Sequence, residues 1–249
     1  MNGAGKAAWL NALRLVVVIL AAWQLLYWSV GDVALRSPLA TMTFLGKLVS
    51  TGPFWVHLGE TSRAFAGALL FAVVIGLSVG FLLGLNRFAN EVLDPVLVAV
   101  YSIPKITLYP ILLLMFGLGM SAKVAFGALH GVIPIALFTI NAVRNVRPVL
   151  IKSARTMGLG PLATVREILL PAALPEIFTG LRIGFALTLI GTLLAEMFAS
   201  QRGLGFLLMN AIGLHNVDLI MALTFILVAF AATVSSILLF LDHRLHSRS

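Results

Sequence analysis

Six long apolar stretches separated by more polar segments run through this chain: Leu13–Val30, Ala64–Leu85, Val96–Leu118, Ala122–Val143, Ile183–Ala199 and Leu219–Leu241. A bilayer core about 30 Å thick takes roughly 20 apolar residues of α-helix. The pattern therefore predicts an all-α integral membrane protein of about six transmembrane helices. The third and fourth stretches meet around Gly117–Ser121, close enough to form a hairpin. Lys6 and Arg14 ahead of the first stretch resemble a secretory signal. The apolar run continues through Tyr27 and Trp28 with no small-x-small cleavage site at its end, so a retained helix is expected.

Composition agrees with a lipid solvent. Of 249 residues, 60% are hydrophobic and 10% charged, with mean hydropathy +1.06. Soluble domains carry about 25% charged residues, and this chain has too few to cover a globular surface. The absence of cysteine excludes disulfides, thiolate nucleophiles and cysteine metal sites. The net charge of +8 would suggest nucleic acid in a soluble protein; here it bears on orientation, and no nucleic-acid partner is expected.

Cations are retained on the cytoplasmic side of a membrane. With the N-terminus inside, the cytoplasmic segments carry Lys6, Arg14, Arg87, Lys105, Arg144, Arg147, Lys152, Arg155, Arg166, Arg182, Arg244 and Arg248. The outer segments carry Arg36, Lys47, Arg63, Lys123 and Arg202. The bias supports that orientation, and six spans place both termini in the cytoplasm. Residues 1–59 then form an N-terminal helix and outer loop. Residues 60–249 form a core of five helices with one large cytoplasmic loop, 144–182.

Glycine marks close helix contacts. Gly76, Gly80 and Gly84 recur every fourth residue, as do Gly127 with Gly131 and Gly180 with Gly184. Residues four apart share a helix face on which a neighbouring backbone can approach. The spacing fits internal packing, with a dimer seam as the alternative. Pro104, Pro110 and Pro134 each lack a backbone donor and are expected to bend the third and fourth helices.

The 144–182 loop exceeds the roughly 2–8 residues of ordinary helix connections. Pro148 suits a first helical position, and Gly158 and Gly160 suit the stop after Met157. Pro161 opens a second short helix with Leu162, Val165 and Leu169 on one face. Pro171 is expected to end it and Pro175 to start the fifth span. Two readings are open by pattern alone: an interfacial helix pair resting on anionic lipid, or a docking element for a cytoplasmic partner.

The order of residues favours docking. Lys152-Ser153-Ala154, then Arg155-Thr156-Met157 and Gly158, then nine residues and Ile168-Leu169-Leu170-Pro171 resemble the cytoplasmic signature of permease subunits of bacterial binding-protein-dependent ABC importers. In that family it reads Glu-Ala-Ala, three residues, Gly, nine residues, Ile-x-Leu-Pro. Ile103-Pro104 with Pro110, Phe116–Gly119, Leu170–Pro175, Phe178–Arg182, Ala195-Glu196-Met197 and Gly203-Leu204-Gly205 are similar to the nitrate/sulfonate/taurine branch. The resemblance runs from about Glu60 to the C-terminus. The family's leading Glu is Lys152 here and its first Ala is Ser153, a charge reversal that suggests an acid in the partner's groove.

The resemblance implies a type I ABC importer-like fold in the bacterial inner membrane. It implies a pore of two permease copies or of this chain with a paralogue, two cytoplasmic ATPase subunits and a periplasmic or lipid-anchored substrate-binding protein. Lys152, Ser153, Ala154, Arg155, Gly158, Ile168 and Pro171 become the ATPase-coupling residues. ATP and Mg belong to the partner, since no G-x-x-x-x-G-K-[ST] occurs here. No catalytic or metal-binding residue is expected.

Glu196 is the one acid inside an expected span. It is a candidate for the translocation path, or alternatively reaches water or bonds the Gln201–Gly205 loop. His130 and Asn141 either line a path or bond a neighbouring helix. Gln201–Gly213, with Gly203 and Gly205, fits a short re-entrant helix capping the outer pathway. A secondary transporter or channel not coupled to ATP is the competing reading; one peripheral acid is a poor supply for an ion-coupled carrier. An intramembrane enzyme is disfavoured because His130 is the sole mid-span histidine and the five histidines are scattered.

Overall fold

Local sequence sets many helix boundaries in the computed structural model, which describes residues 3–246. Arg248 lies outside the described residues, and so do the side chains of Lys6 and Arg244. The helices are α1 (Gly3–Val30), α2 (Pro38–Val49), α3 (Gly52–Leu85), α4 (Arg87–Ser102), α5 (Tyr109–Phe116), α6 (Met120–Arg144), α7 (Pro148–Thr156), α8 (Pro161–Thr164), α9 (Leu170–Ala199), α10 (Leu204–Gly213) and α11 (Val217–His246). No strand occurs among the described residues. Ser37 Oγ accepts the Ala40 N–H and Asn86 Oδ1 that of Ala89, satisfying donors left free in first turns. The Ser37-Pro38 pair is a start signal for α2, an element beyond the six stretches.

Among the described residues five helices are long and apolar enough to cross a membrane, or six if one bent pair is a single span. That pair corrects the third expected span. Val96–Leu118 is not one helix: α4 ends at Ser102, the chain turns by 89°, and a 3-10 turn at Lys105–Leu108 leads into α5. Proline disfavours helical backbone in the preceding residue, and Ile103 is extended with ψ 131°. Pro110 instead stands in the first turn of α5, where it costs no bond. Pro134 lies inside an uninterrupted α6.

The chain divides into two compact units. One comprises the chain up to Val56 with Leu207–Ala229, the other His57–Phe206 with the chain from Phe230. In the first, Arg36 grips Asp218 with two nitrogens, at 2.7 and 3.0 Å, and reaches Asp32 at 3.2 Å. The hydrogen bonds Arg36 donates to Asp218 and then to Asp32 hold the guanidinium pKa above its ordinary value. Trp23 Nε1 donates to the Arg36 carbonyl at 3.0 Å and its ring faces Phe225.

The second unit is built on α6 against α9, with α3 across α6. A Cβ on Gly76 would stand 2.8 Å from Ile135, one on Gly80 2.7 Å from the Thr139 methyl, and one on Gly84 2.9 Å from Val143. Gly127 and Gly131 admit Thr192 and Thr188 of α9 on one side and Ala68 and Ala72 of α3 on the other. These glycines are seats for neighbouring helices within the chain. Such backbone approach supplies the dispersion contacts that hold helices together where lipid offers no hydrophobic drive. Gly76-Leu77-Ser78-Val79-Gly80 also has the G-x-S-x-G spacing of hydrolase nucleophile turns. It lies mid-helix with Ser78 exposed, whereas that chemistry needs a sharp strand-to-helix turn.

Pro171 does not end a helix. Residues Pro161–Ala199 run as one 39-residue apolar helix through a π turn at Val165–Leu169, with Pro171 and Pro175 inside α9. The wide turn, in which Leu170 N–H reaches the Val165 carbonyl, falls where the Pro171 ring would otherwise meet the Glu167 carbonyl. The expected pair of short helices is therefore one short helix, α7, beside the start of a long one.

Candidate functional site

The segment expected to couple to an ATPase begins at α7. Pro148 supplies its first turn, and Gly158 ends it at φ +70°. There Gly158 N–H bonds the Arg155 carbonyl and Leu159 N–H the Ala154 carbonyl, so two terminal acceptors are satisfied by a turn that glycine adopts without a side-chain clash. Ala154 is fully buried. Ile151 and Val165 pack on a core of Ala142, Val143, Val146, Leu169, Ala173 and Ile177. This apolar contact fixes α7 to both α6 and α9. Lys152, Ser153, Arg155, Gly158 and Pro171 are exposed, and Ile168 is half-buried. With Met157 and Leu162, also exposed, they make a mixed cationic and apolar face.

A polar cluster occupies the other end of α9, ~40 Å along a helix of this length. Glu196 is 0% and Lys123 2% exposed. Lys123 Nζ donates to Glu60 Oε1 at 3.0 Å and to the Arg202 carbonyl at 2.8 Å, and lies 3.8 Å from Glu196 Oε1. Glu196 Oε2 accepts from the Thr61 hydroxyl at 2.8 Å and from Gly205 N–H at 3.0 Å. Thr61 Oγ1 in turn accepts the Leu204 N–H, and His57 Nδ1 the Gly203 N–H. Charges buried away from water persist only when paired and hydrogen-bonded; here an ammonium sits between two carboxylates, and the Ser200–Gly205 loop closes over them. A cavity of about 440 Å³ opens beside Glu60, Lys123 and Arg202.

The sequence points to Glu196, Gly203 and Gly205, and the structure brings them together. Within this chain Glu196 is fully buried and bonds the Gly205 N–H. The sequence reading misses Glu60, which α3 includes, and takes Lys123 for an outer-loop cation. The readable signal is a pair of opposite charges near the starts of two apolar stretches. His130 is buried, with Nδ1 2.9 Å from the Phe126 carbonyl and its ring where a Cβ of Gly191 would stand 2.7 Å away, so it packs beneath α9. Asn141 is exposed. Among the described residues no three His, Cys, Asp or Glu are grouped to hold a metal.

The structure is a multi-pass helical bundle with a short amphipathic helix seated at one end. The chain belongs to the family of binding-protein-dependent transport system inner membrane components, whose pattern matches residues 72–249. It is 31% identical over 218 residues to the taurine transport system permease protein TauC of Escherichia coli, covering 83% of this chain and 78% of that one. It is 32% identical over 225 residues to the bicarbonate transport system permease protein CmpB of Synechococcus elongatus, covering 85% and 80%. Among solved structures, an inward-facing MetNI methionine ABC transporter shares the fold with TM-score 0.68 at 22% identity, covering 78% of this chain and 99% of that one. The fold is that of type I ABC importer permeases, and the protein is a multi-pass inner-membrane transport component.

Proposed function

We propose that two copies of this chain form the pore of an ATP-driven importer for small sulfonate-, taurine- or bicarbonate-type solutes. A cytoplasmic ATPase binding ATP and Mg docks on α7 of each copy, both termini lie in the cytoplasm, and a substrate-binding protein delivers solute at the Glu60–Lys123–Arg202 end. The observation that carries this reading is mechanical. The buried side of α7 packs through Ile151 onto the helix that runs from Pro161 to Ala199, leaving its opposite face exposed. Displacement of α7 by a closing ATPase dimer is therefore passed along α9 as a rigid rocking motion. ATP shifts the pore because its closed dimer fits one spacing of the two docked helices better than the other. The solute class is supported by what the relatives' names state of those proteins.

Lys152 in place of the family's Glu gives α7 a cationic face with Arg155. The experiment is co-purification of the ATPase from membranes with Lys152→Glu/Arg155→Glu. Loss of ATPase at unchanged permease yield is expected. Wild-type recovery of ATPase with that variant would rule out docking at this face, and solute movement by the permease alone, driven by an ion gradient and indifferent to ATP, would establish the secondary-transporter alternative.

A further inference from the structure

We propose that Lys105 binds the anionic group of the transported solute midway along the translocation path, an inference that rests on the importer reading and names the contact it lacks. Its depth follows from the α5–α6 hairpin. Tyr109 sets its ring 4.7 Å from that of Phe126 and donates its hydroxyl to the Ala195 carbonyl at 2.8 Å. Phe126 in turn packs on His130. Because α5 and α6 run antiparallel, Lys105, one turn before Tyr109, lies near the level of His130. That residue is ~15 Å from the start of α6, at 1.5 Å per residue, about half of a 30 Å bilayer core. Lys105 therefore does not belong with the cytoplasmic loop cations among which the sequence places it.

The two lysines of this region are in opposite states. Lys123 is buried and neutralised by Glu60, the Arg202 carbonyl and nearby Glu196. Lys105 has no carboxylate partner among the described residues. Its ammonium rests on the Tyr101 carbonyl at 3.3 Å and over the Tyr101 ring at 4.7 Å, with part of its surface open. An unpaired ammonium at this depth is costly against lipid and faces a bundle interior or a water-filled path. One of its three protons is used on Tyr101, and two are free for an oxyanion. It sits on an 89° break of a membrane helix, and broken helices are where transport bundles expose solute-binding groups. The Tyr101 ring orients the cation without cancelling its charge. A sulfonate, bicarbonate or carboxylate group meets these requirements.

The test uses the full permease with its ATPase and binding protein in proteoliposomes, measuring uptake of taurine and bicarbonate. Lys105→Gln is expected to lower uptake by roughly tenfold to a hundredfold, the size of one charge-assisted hydrogen bond, with ATP hydrolysis within about twofold of wild type. Lys105→Arg is expected to restore most of it. Equal uptake by Lys105→Gln overturns this inference and leaves the importer reading standing. Failure of the wild-type complex to move either solute strikes the solute reading of the importer itself. A second measurement is independent of turnover. The chain has no cysteine, so Lys105→Cys introduces a single thiol. It is expected to react with water-soluble 2-sulfonatoethyl methanethiosulfonate and to be protected by taurine. The control Leu114→Cys, on the exposed apolar side of α5, is expected to stay unlabelled. An unreactive thiol at position 105 with and without ATP places that residue outside any aqueous path and ends the proposal.

Discussion

The backbone of Gly203 crosses so close to the carboxylate of Glu196 that any side chain at 203 would occupy the carboxylate's place. Gly203 also has φ +123°, a conformation L-residues rarely adopt. Two residues on, a Cβ at Gly205 would stand 2.8 Å from that of Glu196. The Gly203-Leu204-Gly205 motif is thus a cover for a buried acid, and its spacing is set by the side chain it covers.

Gly203→Ala is expected to destabilise the protein by about 1–3 kcal/mol, the cost of a strained backbone conformation. It should also open the Ser200–Gly205 loop. Thermal unfolding in detergent reads the first effect and limited proteolysis at Arg202 the second. An unchanged melting temperature with unchanged cleavage would show that the loop does not lie on Glu196.

Lys123→Met leaves Glu60 and Glu196 together without their cation, and removing one partner of a buried pair costs about 3–5 kcal/mol. Adding Glu60→Gln removes half of the orphaned charge. The double variant should therefore be less unstable than the sum of the two singles, with a coupling of about 0.5–3 kcal/mol. Strict additivity in a double-mutant cycle of melting curves would mean that the Lys123–Glu60 contact contributes nothing.

Gly80→Ala and Gly46→Ala should act in opposite directions. The first places a methyl against Thr139, overpacking the α3–α6 seam at a cost of about 1–3 kcal/mol. The second meets nothing within 4 Å on α2 and gains about 0.8–1 kcal/mol of helix propensity. The two melting temperatures relative to wild type decide it; a shift of the same sign in both would contradict the seam.

Gly158→Trp should leave α7 in place, because nothing stands within 4 Å of an added Cβ, while straining the φ +70° turn by about 1–2 kcal/mol and filling the face proposed to meet the ATPase. Membrane yield is expected to stay near wild type and ATPase co-purification to fall. Intact recovery of ATPase would exclude the Gly158 turn from the contact.

The apolar stretches, the charge-poor composition and the Lys152–Pro171 spacing made the membrane bundle and its family readable in the sequence. Each is a local property: span length follows from bilayer thickness, and the α7 stop follows from one glycine. Glycines four apart likewise announced close helix approach. Proline is also local, yet its consequence was not. Pro104 broke a helix, Pro134 did not, and Pro171 was absorbed by a π turn, because neighbouring contacts decide whether a missing donor and a steric clash are tolerated. The grouping of Glu60, Lys123 and Glu196 was likewise invisible along the chain. Those charges stand 63 and 73 residues apart, and only the packing of α3, α6 and α9 brings them within reach. Sequence alone thus determined the solvent, most of the membrane helices and the family signature. The tertiary structure decided which charges are neutralised: Lys123 meets Glu60, whereas Lys105 has no carboxylate partner among the described residues, because pairing depends on distance in space.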